Sequence, residues 1–83
     1  MSSKVSGIFH RPVVVQPGRI DRDRVVVSAA DAARVLAREW RGDSAKRQRA
    51  IAACLDVVSG RKPPRHARSA FIDAARDARI LIE

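Results

Sequence analysis

The sequence predicts an α+β domain in which a small antiparallel three-stranded sheet is packed by three helices, in the order β-β-α-α-α-β. Three observations carry that expectation. Two valine-rich runs, Pro12–Gln16 and Arg24–Val27, flank a Pro17-Gly18 turn signal and read as an N-terminal hairpin. Between Ser28 and Ala78, apolar residues recur three times at helical spacing. After them, Ile80-Leu81-Ile82 is too apolar for a loose tail and reads as a C-terminal strand that joins the hairpin.

Each element can be justified in order. Residues 1–11 lack periodicity and are expected as a flexible N-terminal arm, which leaves 12–83 as the single domain. In the first run Pro12 has no N–H to donate, so it suits an edge strand. Gly18 can take the positive φ of a type II turn, and Arg19 to Arg24 alternate charge around Ile20 as an exposed segment would. The apolar triplets do not distinguish the two faces, so the hairpin register stays open.

Ser28-Ala29-Ala30-Asp31 approximates a capping box, with Asp in place of Glu or Gln. The helix it opens puts Ala29, Ala32, Ala33, Leu36, Ala37 and Trp40 on one face, and Gly42 follows as a stop. Asp43 or Ser44 caps the second helix, whose expected buried stripe is Ala50, Ile51, Cys54, Leu55 and Val58. Gly60 closes it. The third opens at Pro63-Pro64, where the missing donors of proline cost nothing, and carries Ala67, Ala70, Phe71, Ala74, Ala75 and Ala78 on its apolar arc. The last strand follows almost without linker, so a tight corner is expected at Arg79.

Those residues carry a resemblance. Ser28-x-x-Asp31-Ala32, Trp40, Ala50-x-x-x-Cys54, Gly60 and Ala67-Arg68-x-Ala70-Phe71-Ile72-x-Ala74-Ala75 resemble the domain of unknown function 982 family of short bacterial proteins, over roughly residues 12–82. Arg41 stands where relatives tend to carry Pro, and Arg47 where they tend to carry an aromatic. The resemblance implies an α+β fold and, since the family has no established activity, no chemistry.

Composition narrows the function classes. Eighty-three residues bury only about 60–65% of their unfolded surface, so such a domain needs a disulfide, a metal or self-association for support. Cys54 is the only cysteine, and Cys54, His10 and His66 do not cluster as metal ligands. A homodimer is therefore one expectation, and no metal or cofactor is expected. With no signal-like run and no long apolar stretch, the reading is cytoplasmic, with no membrane partner.

The net charge of +8 attracts polyanions, yet 14 of the 17 basic residues are Arg amid abundant Ala and Val, a bias that GC-rich coding produces without selection for binding. Two clusters are the candidate anion or nucleic-acid contacts: Lys46, Arg47 and Arg49, and Arg61, Lys62, Arg65 and Arg68 with His66 among them. Arg47 falls on the buried stripe, as a snorkelling side chain or as an anion contact. Base-stacking aromatics are missing, because the sequence has no Tyr and places Trp40 and Phe71 on core faces.

Catalytic pairs are thin. Asp73 and Asp77 alternate with Arg76 and Arg79 as surface ion pairs do, and Cys54 reads as a buried small apolar residue before it reads as a partner of His66. An enzyme is not expected. Val35 and Ile72 stand off their apolar arcs and would mark an interaction patch if adjacent in space. The sequence thus points to a non-catalytic protein-interaction or self-associating module, with a nucleic-acid-binding accessory protein as the alternative.

Overall fold

A computed structural model describes residues 7–17, 23–40 and 42–82. Its elements run β1 (Ile8–Val15), β2 (Arg24–Ser28), α1 (Ala29–Arg38), α2 (Ala45–Val58) and α3 (Pro64–Asp77). The hairpin and the three helices are where the sequence puts them. Among the described residues the expected third strand is not found: the sheet has two strands, and the C-terminal segment contributes a lone antiparallel bridge between Leu81 and Val15.

The end of α3 explains that difference. Arg79 takes φ 61, the Arg79 N–H donates to Arg76 O (3.1 Å) and the Ile80 N–H to Ala75 O (3.0 Å). This is a Schellman closure with arginine in the left-handed position that glycine normally fills. The same closure ends α2, where Gly60 (φ 84) is followed by Arg61, whose N–H donates to Asp56 O (2.8 Å). Because the closure holds the chain as far as Ile80, only Leu81 comes into register with β1. Hydrogen bonds from Gln16 N to Ile80 O (2.9 Å) and from Ile82 N to Val14 O (2.8 Å) bracket that bridge.

The hairpin pairs Val13 with Val26, Val14 with Val25 and Val15 with Arg24, and then slips to pair Ile8 with Ser28. Between the two registers β1 spends residues 9–12 against Val27 alone, a wide bulge in which Pro12 has no ladder bond to lose. β1 therefore begins four residues before the expected start. Phe9 is buried, and Gly7 turns at φ 89 with its carbonyl accepting from Ala29 N (2.8 Å). A Cβ on Gly7 would meet Ala29 and Val57 side chains at 3.4 and 3.6 Å, so the chain passes tightly there. Residues 8–11 are part of β1, whereas the rest of the expected arm and the turn expected at Gly18 fall outside the described residues, apart from Gly7.

Ser28 caps α1 by accepting from Asp31 N (3.1 Å), while the Asp31 carboxylate accepts from Val27 N (3.3 Å). Ser44, not Asp43, caps α2, accepting from Arg47 N (3.1 Å). Two helix faces are rotated from their expected phase. On α1, Val35 is buried and Ala37 exposed, since burying valine removes more apolar surface from water than burying alanine. On α2, Ala53 and Val57 are buried with Ala50 and Cys54, while Leu55 and Val58 face solvent. The segment at Gly7 covers the Val57 side of the helix and draws it inward.

On α3 the expected arc holds, with Ala67, Phe71, Ala74 and Ala75 buried. Phe71 is the largest fully buried side chain, and Trp40, beyond the end of α1, lies over it with ring centroids 5.7 Å apart at 56°. The helices cover one face of the hairpin, burying Val13, Val15 and Val26. Among the described residues, no element covers the other face.

The left-handed Arg79 yields a first prediction. Replacing it with glycine removes the Cβ penalty and should stabilise the domain by about 0.5–1 kcal/mol, a rise of a few degrees in Tm. Arg79→Ala, which keeps the penalty, should leave Tm nearly unchanged when both are followed by circular dichroism.

Candidate functional site

Some members of the two basic clusters of the sequence are held in ion pairs. Lys46 reaches from α2 to α3 and pairs with Asp73 (3.2 Å), and Arg61 sits 3.9 Å from Asp56. Arg49 and Lys62 are exposed, and their side chains make no hydrogen bond or ion pair with the described residues.

Arg47 turns to partners within the chain. Its side chain is 17% exposed, with Nε donating to Leu36 O (3.1 Å) and Nη1 to Asp43 Oδ1 (2.9 Å). Asp43 also accepts from the Gln48 side-chain amide. The Leu36 carbonyl belongs to the last turn of α1, where intrahelical donors run out, so Arg47 closes the C-terminal end of α1 from α2. An arginine on an apolar stripe was the signal for this role. Its partner lay in another element, beyond the reach of sequence spacing.

Arg65 and Arg68 do line a cleft, in company that the sequence reading did not assemble. The cleft, of about 380 Å³, lies between β1 and α3 and is lined by His10, Arg65, Arg68, Ser69, Ile72, Asp73 and Arg76. The α3 members fall at spacings of three, four and seven, a single helical stripe that was legible in principle. His10 arrives from the β1 bulge and was not. Ile72, isolated on a polar face in the sequence, packs partly against the core and floors this cleft. Val35 lies in the core, 7% exposed, so Val35 and Ile72 form no common exposed patch.

Arg68 is fixed by a hydrogen bond from its Nε to Arg11 O (3.0 Å) in the bulge. It also walls a second hollow of about 420 Å³, with Arg11 opposite and Pro12, Val14 and Val25 beneath. This hollow opens onto the uncovered face of the hairpin. There Val25 is 59% exposed, Val27 40% and Ile82, beside Val14, 53%.

Asp73 pairs with Lys46 across the helices rather than with its own neighbours, and His66 is exposed on the first turn of α3. Cys54 is fully buried, and burial pushes its thiol from 9.0 up to about 11. Among the described residues no three His, Cys, Asp or Glu groups gather where a metal could bind, and no helix is long and apolar enough to cross a membrane.

The family described as "Protein of unknown function (DUF982)" matches residues 11–82, and the chain belongs to that family. Comparison with curated proteins and with solved structures finds no significant match.

Three expected outcomes follow from this geometry. Arg47→Leu strands the Leu36 carbonyl and should cost about 1–3 kcal/mol in urea denaturation, whereas Asp43→Ala, at the exposed end of the pair, should cost less than about 1 kcal/mol. The Cys54 thiol should resist an aromatic disulfide reagent at pH 8 in the folded protein and react promptly in denaturant. Because the folded thiol ionises near 11 and the unfolded one near 9.0, stability should fall as pH rises through that window, and Cys54→Ala should remove this component of the slope.

Proposed function

We propose that this DUF982 domain is a non-catalytic protein-interaction module whose binding surface is the uncovered face of the hairpin, and that its partner presents an apolar segment flanked by acidic side chains. The observation that carries the reading is the outer sheet face. Val14, Val25, Val27 and Ile82 lie side by side with no covering layer among the described residues, and the hollow beside them is lined by Arg11 and Arg68. A contiguous apolar patch with a polar rim is the surface pattern of a protein contact.

The rim selects the class of partner. A second copy seated face to face would bring Arg11 and Arg68 toward their own symmetry mates, and like charges across an interface are costly. An acidic partner meets the same arginines favourably. Nucleic acid is less well served, because the floor is valine and proline, with no ring to stack a base on. The other exposed apolar pair, Leu55 and Val58 on α2, is smaller and bordered by Asp56 and Ser59.

The test compares two charge-matched variants as baits in lysate of the source cells, with quantitative mass spectrometry as readout. Val25→Asp/Val27→Asp should lose a defined set of acidic interactors that wild type and Leu55→Asp/Val58→Asp both retain. Capture indifferent to the sheet-face variant, or lost equally with the α2 variant, overturns the reading. Light scattering should find the isolated domain monomeric at micromolar concentration, and a dimer broken by Val25→Asp would reassign the face to self-association.

A further inference from the structure

We infer that the cleft between the β1 bulge and α3 is a binding site for a phosphoryl group, with Arg65, Arg76, Ser69 and His10 as its donors. The site adjoins the apolar sheet face, sharing Arg68 with its rim, and it does not require that face to bind a protein.

The cleft is rich in donors and poor in acceptors. The side chains of Arg65, Arg76 and His10 make no hydrogen bond or ion pair with any described residue, so their donors are uncommitted. Arg68 spends its Nε on Arg11 O, which anchors the side chain while leaving its terminal nitrogens for the cleft. Asp73 is the one carboxylate in the lining, and Lys46 neutralises it from α2 at 3.2 Å. Ile72, partly buried on the floor, removes water from beneath the charges and strengthens any hydrogen bond made above it.

This arrangement has a purpose only for a ligand that accepts many hydrogen bonds and carries more than one negative charge. A phosphomonoester offers three free oxygens and a charge of about −1.5 to −2 at neutral pH, and the planar fork of arginine matches it in pairs. A carboxylate offers two oxygens and a single charge. A phosphodiester also carries a single charge, and the cleft supplies no aromatic ring for the base beside it. Both should bind less well.

The decisive experiment is a ¹⁵N-NMR titration of the full chain at about 150 mM salt, where diffuse surface attraction is screened. The probes are inorganic phosphate, N-acetylphosphoserine amide and acetate. Phosphate should shift resonances saturably at Arg65, Ser69, Ile72, Arg76 and His10, with an affinity about tenfold above that for acetate. Tighter binding of the phosphoserine probe would assign the natural source to a phosphorylated side chain, and equal binding to a free anion.

Arg65→Gln/Arg76→Gln should weaken phosphate by about tenfold or more, whereas Arg49→Gln/Lys62→Gln, which removes the same charge elsewhere, should leave it unchanged. All four side chains are exposed, so both variants should keep the wild-type circular dichroism spectrum. Shifts scattered over the whole basic surface, acetate binding as tightly as phosphate, or equal losses in the two variants would each overturn the site.

Discussion

The structure depends on how closely α2 and α3 approach each other. Between them the buried positions are small, with Ala50, Ala53 and Cys54 on one helix and Ala67, Ala74 and Ala75 on the other. Small side chains let two backbones come near, but they bury little area each, so most of the volume has to come from elsewhere. Phe71 supplies it, with Trp40 closing over its ring. A larger residue at the alanine positions would push the helices apart and unseat Phe71, and with it the layer on which the hairpin rests.

Against that layer, the arginines divide by what their guanidinium groups meet. Arg47 and Arg68 are structural: one closes the end of α1, and the other ties α3 to the β1 bulge through a backbone carbonyl. Both satisfy acceptors that regular secondary structure leaves unpaired. Arg65 and Arg76, on the same stripe of α3 as Arg68, have no such task. A net charge of +8 therefore overstates the charge available to a ligand and says nothing of its location. Part of the free charge lies in the cleft between β1 and α3.

The uncovered sheet face has a related origin. Three helices suffice to cover one side of a two-stranded sheet, and no described element is left for the other. Alternation along β2 then puts Val25 and Val27 outward as inevitably as it puts Val26 inward. The bulge adds to this by lifting residues 9–12 out of register, which hollows the surface beside Val14 and brings Arg11 to its rim.

Local chemistry in the sequence determined much of the molecule. The hairpin, the three helices, the Ser28 cap, the Gly60 stop, the proline entry to α3 and the buried arc around Phe71 are all legible because each rests on residues within a turn or two of one another. Tertiary structure decided the rest. It rotated the buried faces of α1 and α2, because the segment at Gly7 packs where no periodicity announces it. It reduced the last strand to one bridge, because the closure of α3 at Arg79 governs where the chain can meet β1. It turned Arg47 inward and assembled a cleft from His10 and a stripe of α3 more than fifty residues away. Short-range patterns encode what a residue does to its own backbone, whereas a site is made by which distant backbones end up adjacent, and that is settled only when the core closes.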